Sequence, residues 1–219
     1  MTEFSNQMIV IDGVDGSGKG VQTRRLYQSM LNAGLNCILT REPGGSPAAE
    51  DIRELLVNGD PEKWDSMTEL LLMVAARRTH LRDTVWPALE QGRWVISDRF
   101  ADSSRAFQGI AGELGLTVVD EIHRLSIGDF APALVLILDI DETVALARAK
   151  ARGEGEDRFE KKGSAYHRKV RAAFRSIAKS DPVRYRLIDA SGSMDDVSTL
   201  IIDSINDFYS LTLEPTHEI

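Results

Sequence analysis

The sequence has one cysteine, Cys37, among 219 residues. That scarcity excludes a disulfide framework and any multi-cysteine zinc or iron–sulfur site, and it suits a reducing compartment. Positive charge is also in deficit: 26 Lys and Arg against 34 Asp and Glu leave a net charge of −8. A chain this acidic lacks the electrostatic footprint of a general nucleic-acid binder. An anionic ligand would need local arginines and backbone amides to overcome the global field. Long hydrophobic runs are missing as well. The longest buried-looking stretch, 131–138, is far short of the roughly 20 residues that span a bilayer. Residues 1–10 include Glu3 and show no basic region ahead of an apolar core, so neither a secretory signal nor a membrane anchor is expected and the protein reads as cytoplasmic. No internal repeat or linker-like composition divides the chain, and its length fits a single domain over 1–219.

What is present alternates strand and helix. Short apolar runs at 8–11, 36–39, 93–97, 133–138 and 185–188 read as strands. Stretches at 18–33, 48–57, 117–127, 141–152, 166–180 and 197–211 read as helices. A long helical region at 66–91 contains Pro87, which should break or kink it. Nearly continuous apolar strands separated by helices predict an α/β fold, a five-stranded parallel sheet covered by helices on both faces.

The turn after the first strand carries chemistry. Gly13-Val14-Asp15-Gly16-Ser17-Gly18-Lys19 fits the first seven places of G-x-x-x-x-G-K-[ST], after a strand and opening a helix as that motif's mechanism requires. Glycines there let backbone N–H groups converge on phosphate oxygens at a helix N-terminus, and Lys19 would reach the β- and γ-phosphates. Gly20 breaks the pattern, since a Ser or Thr hydroxyl normally stands there to hold Mg²⁺. A water is expected in that place, with the metal held by phosphate oxygens. No G-x-S-x-G or H-E-x-x-H is present, and His80, His123, His167 and His217 are scattered.

Ligands of parallel α/β sheets bind beyond the carboxyl ends of the strands. The second strand delivers Arg41-Glu42-Pro43-Gly44-Gly45; the third delivers Asp98-Arg99-Phe100 and then 102–109, with Arg105. One such arginine alone would suit a surface ion pair. Several at converging strand ends could clamp a second phosphorylated ligand, because guanidinium binds phosphate bidentately. The glycine-bounded, charged stretch 153–158 suits either a solvated loop or a lid over a nucleotide.

Together these segments resemble the thymidylate kinases over nearly the whole chain. The resemblance rests on G-V-D-G-S-G-K at 13–19, T-R-E-P-G-G at 40–45, A-A-R-R-x-H-L at 75–81, D-R-F-x-D-S-S-x-A-F-Q-G at 98–109 and R-A-K-A-R-G-E-x-x-D-R-F-E at 148–160. It implies a P-loop nucleoside-monophosphate kinase fold, with a lid at about 148–163, that phosphorylates dTMP to dTDP using ATP and Mg²⁺. It implies that Asp15 binds the deoxyribose 3′-OH and Arg99 the dTMP phosphate, with Arg41 and Asp98 at the phosphate–metal centre. Arg77 would reach thymine, Ser104 and Gln108 would line the nucleoside pocket, and Phe107 would crowd the place of a ribose 2′-OH. No arginine stands between Asp15 and Lys19; in members of that kind the lid supplies the catalytic arginine, here Arg152, with Arg148 and Arg158 as alternates. The family usually has Phe four residues before Arg77, where this chain has Met73. Met73 and Arg77 share a helical face, so Met73 can line the base pocket or fill the core. The resemblance also implies a homodimer, with 66–91 a candidate interface. A related kinase with another acceptor, or a nucleotide binder without catalysis, are the competing readings of Gly20 and Met73.

Overall fold

A computed structural model describes residues 7–151 and 158–216. Among them five strands form one parallel sheet: β1 (Met8–Gly13), β2 (Cys37–Arg41), β3 (Trp94–Asp98), β4 (Leu134–Asp139) and β5 (Tyr185–Asp189), in the order β2-β3-β1-β4-β5. Every residue of β1 is buried, as a central strand covered on both faces demands, while the edge strand β2 buries only Cys37 and Thr40. Met8–Ile11, Val95, Ile96 and Leu134–Leu138 form the centre of the core.

Helices α1 (Lys19–Asn32), α2 (Pro47–Val57), α3 (Ser66–His80), α4 (Trp86–Glu90), α5 (Ala101–Ser104), α6 (Leu116–Ile127), α7 (Glu142–Ala151), α8 (Ser164–Ser180) and α9 (Met194–Tyr209) connect the strands. Pro87 does not break the expected 66–91 helix. A π-helical turn, Leu81–Val85, joins α3 to α4 and leaves the proline in the first turn of α4, where its missing N–H costs no intrahelical bond. Helix α9 begins three residues earlier than its apolar periodicity indicates. Ser193 and Asp196 close a capping box there: Asp196 N donates to Ser193 Oγ (3.1 Å), and Ser193 N donates to Asp196 Oδ2 (3.0 Å). The polar stretch after β3 is helical too, α5 running into a second π-helical turn at Arg105–Ala111. Neither piece is long enough to display a period.

The register fixes where the site lies. Asp98 stands opposite Arg41 on β2 and Ile11 on β1, so β2 and β3 finish level and the adjacent β1 runs two residues further, to Gly13. A second organising contact lies across the sheet's helical cover. Glu69 on α3, 1% exposed, receives Arg158 Nη1 (2.7 Å) and Lys162 Nζ (2.6 Å) on Oε1 and Gln108 Nε2 (3.1 Å) on Oε2. Arg158 is fully buried and also donates to the carbonyls of Leu56 and Pro61. Glu69→Ala removes the counter-charge of a buried cation, a change that costs about 3–5 kcal/mol. At this chain length we expect the melting temperature to fall by about 10 °C, read by thermal denaturation.

Candidate active site

The loop between β1 and α1 folds as its glycines dictate. Gly13 has φ +137° and Gly16 φ +79°; a Cβ would lie 2.5 Å from Leu138 O in the first case and 1.9 Å from Ala145 O in the second. Both positions therefore exclude a side chain by conformation and by contact. Val14 is buried, Ser17 Oγ is buried with no protein partner, and Gly18 caps α1 in the left-handed conformation. Lys19 folds over this loop, donating from Nζ to Val14 O (2.7 Å) and lying 3.9 Å from Asp15. Burial pushes its ammonium down to about 8, with nearby Arg99 adding to the effect and Asp15 and Asp98 opposing it. A polyanion seated on the loop would push it back up.

The next strand end supplies the facing cation. Arg99 follows β3 with φ +70°, a conformation a non-glycine side chain holds only when its surroundings enforce it. They do so here. Its N–H donates to Ile11 O, its guanidinium donates to Asp12, Gly13 O, Ser103 Oγ (2.9 Å) and Asp15, and it lies over the Phe107 ring. Asp12, which the motif reading passed over, is the anchor. It is fully buried, and its Oδ1 accepts from Gly13 N (2.8 Å), Ser103 Oγ (2.7 Å) and Arg99 Nη1 (3.3 Å). Burial raises its carboxyl to about 6 despite Arg99 and Ser103.

Beyond Arg99 a cleft of about 650 Å³ opens, lined by Asp15, Gly16, Gly18, Lys19, Gly20, Arg41, Met73, Arg77, Asp98, Arg99, Ser104, Phe107 and Gln108. The residues read from four separate sequence segments thus meet on one cavity. Arg77 is 2% exposed and held on every nitrogen: Nε donates to Glu42 Oε2 (2.6 Å), Nη1 and Nη2 to Ser104 Oγ (3.2 Å each), and Nη2 also to Phe100 O (3.1 Å). Burial works to raise the Glu42 carboxyl, but Arg77 and His80 outweigh it and hold it below its ordinary value. Glu42 is a second residue the motif reading left without a role. Arg41 reaches the cleft rim, exposed and paired with Glu50 (3.1 Å). Arg53 and Lys161, also unforeseen, line the same cavity.

The expected lid arginines part company. Arg148 is exposed beside the end of β5, its Nη1 3.4 Å from Ala190 O. Arg158 does not serve as the exposed phosphate clamp that the lid reading allowed: its partners Glu69, Leu56 O and Pro61 O bury it behind the cleft. Arg152 lies outside the described residues.

The metal question turns on Asp98 and Gly20. Asp98 Oδ1 is buried without a protein hydrogen-bond partner, the state of a carboxylate oxygen with capacity for a cation or its water. Among the described residues no cluster of three or more His, Cys, Asp or Glu could hold a metal. One carboxylate fits Mg²⁺ that arrives with phosphate ligands of its own. Gly20 has no positive φ, and a Cβ there would meet only Asp98 Oδ2 at 3.5 Å and Arg24 Nη1 at 3.7 Å, ordinary contacts.

Asp12→Asn keeps the shape but not the charge that orients Arg99. We expect kcat/KM of the chain's reaction to fall by about 10²-fold, the scale of a misplaced catalytic contact. Stability carries a separate signature. The folded carboxyl titrates above its ordinary 3.8, so the stability it contributes is fullest below that value and is lost as pH rises through about 6. The melting temperature of Asp12→Asn relative to the parent should therefore rise between about pH 4 and pH 7; a constant difference would contradict the burial of a titrating Asp12.

The family model described as "Thymidylate kinase" matches residues 11–201. The thymidylate kinase of Ruegeria pomeroyi is 45% identical over 203 residues, covering 90% of this chain and 95% of that protein. That of Dinoroseobacter shibae is 47% identical over 197 residues, covering 90% and 94%. The crystal structure of thymidylate kinase from Ehrlichia chaffeensis matches with a TM-score of 0.72 at 32% identity, covering 92% of this chain and 99% of that one.

Proposed function

The chain belongs to the thymidylate kinase family, ATP-dependent enzymes that phosphorylate dTMP to dTDP, and we propose that Lys19, Asp98, Arg99 and Arg152 carry the catalysis here. One observation supports the reading above others. Lys19, from the loop, and Arg99, from the end of β3, line one cleft and meet at Asp15. Two phosphate-binding cations brought from separate segments into one cavity suit transfer between two phosphorylated ligands.

The donor's phosphates lie on the loop 13–20, cradled by its N–H groups and Lys19, with Arg148 and Arg152 of the lid adding further positive charge. The acceptor's phosphate lies against Arg99 and Arg41. Arg77, oriented by Glu42 and Ser104, reads the base beside Met73 and Gln108. Phe107 bounds the sugar, and Asp15 exchanges its bond to Arg99 for the 3′-OH. An oxygen of the acceptor phosphate, already anionic, attacks the γ-phosphorus in line. The new P–O bond forms as the β–γ bridge breaks and ADP leaves, so no strong general base is needed. Positioning and charge neutralisation supply the rate. Asp98, with phosphate oxygens, would hold Mg²⁺ directly or through water, and the ion would supply part of that neutralisation.

We read the whole chain as one catalytic domain whose lid is 148–163, acting as a cytoplasmic homodimer. Among the described residues no helix is long and apolar enough to cross a membrane. Helices α2, α3 and α6, of which α3 packs against the other two, leave Leu55, Leu71 and Leu125 exposed. Of these, Leu71 lies within the 66–91 region, one turn from the exposed Met67 on α3, and the two support pairing through that region.

Coupled ADP release across dTMP, dUMP, UMP, CMP and AMP tests the acceptor. We expect the highest kcat/KM with dTMP, and preference for another member of the panel would reassign the base pocket. Lys19→Ala and Arg99→Ala should each lower kcat/KM by about 10²-fold or more, through kcat as well as KM, because contacts to the transferring and accepting phosphates tighten in the transition state. Near-parental turnover in either variant would remove that residue from the mechanism.

Arg152→Ala separates the lid from the floor of the site. We expect kcat to fall by about 10³-fold while dTMP affinity stays unchanged, as an arginine finger behaves. An unchanged kcat would pass the role to Arg148.

A further inference from the structure

Helix α1 carries an arginine that the loop motif does not include. Arg24 stands four residues after Gly20, on the same face of the helix, and helical side chains lean toward the N-terminus. Its Nη1 comes within 3.7 Å of the point a Cβ on Gly20 would occupy, and Asp98 Oδ2 lies 3.5 Å from that point. Among the described residues Arg24 makes no hydrogen bond or ion pair with a protein group, although Glu50 and Asp83 line the same side cleft. It borders both that cleft and the main cavity, so its guanidinium is free to turn toward either. An unpaired guanidinium is therefore held beside a phosphate-binding loop at the place where the loop lacks its hydroxyl.

We propose that Arg24 is a further donor-phosphate ligand of this site, its guanidinium serving the side of the β- and γ-phosphates next to Gly20. The assignment rests on the reading of 13–20 as the donor's cradle. A guanidinium presents a planar fork that matches phosphate oxygens in pairs and carries its own positive charge. It does part of the neutralising that a hydroxyl-held divalent cation does elsewhere. The nucleotide should accordingly retain affinity for this chain when no divalent cation is present.

Calorimetric titration of the full chain with ATP, in excess chelator and again with Mg²⁺, tests this directly without turnover. Arg24 is exposed, so Arg24→Gln should leave the fold and the affinity for dTMP unchanged. We expect it to weaken metal-free ATP binding by about tenfold or more, the scale of a charge-assisted phosphate contact, and to weaken binding with Mg²⁺ less. Arg24→Lys should recover part of the loss, the charge without the fork. In a Gly20→Ser background with Mg²⁺ the effect of Arg24→Gln should shrink, since the new hydroxyl serves the same side. Lys19→Ala is the control for the cradle. If it abolishes ATP binding while Arg24→Gln binds metal-free ATP like the parent, the proposal fails and the cradle stands. If Lys19→Ala also binds normally, the cradle falls and the proposal with it.

Discussion

The adjacent carboxyl ends of β1, β2 and β3 gather positive charge before any ligand arrives, and the buried carboxylate of Asp12 makes that gathering stable. Arg99, Lys19 and Arg41 converge within one cavity, and cations so close repel one another in a partly desolvated space. Asp12 and Asp15 accept from Arg99, Asp15 also approaches Lys19, and Glu50 takes Arg41. Asp15 and Glu50 stand at the cavity or its rim, where phosphates can displace them. Asp12 is buried behind the loop and is not displaceable. The division is physical: one carboxylate fixes the frame, and the others hold places for ligands.

The parts of this site that the sequence made legible are those in which the backbone itself is the reagent. Gly13 and Gly16 must be glycine because positive φ and Cβ contacts leave no other choice, and Gly18 is favoured by its positive φ alone, so their spacing is written directly into the chain. Strand ends are legible for a related reason, since apolar runs in a covered parallel sheet stop where the ligand face begins. Asp12 was passed over because it closes an apolar strand and precedes the first motif glycine; a lone acid in that place was its only signal. Arg158 misled for the opposite reason. Its neighbours in sequence are charged and glycine-rich, which reads as an exposed lid, whereas its counter-ion Glu69 comes from α3, far off in the chain. Composition reports local solvation and says nothing of a partner that arrives through folding.

That long-range partner joins two jobs that the sequence presents as separate. Glu69 binds Arg158 and Lys162 through one oxygen and Gln108, which lines the cleft, through the other. Phe159, beside Arg158, packs edge-on against Phe107, and Tyr166 donates to Phe107 O. Phe107 and Gln108, which line the cleft, are therefore braced by Phe159 and Tyr166 and, through Glu69, by Arg158 and Lys162. Because such packed cores shift between discrete arrangements rather than stretching, a displacement of any of these residues is felt along the wall of the cleft through one set of contacts.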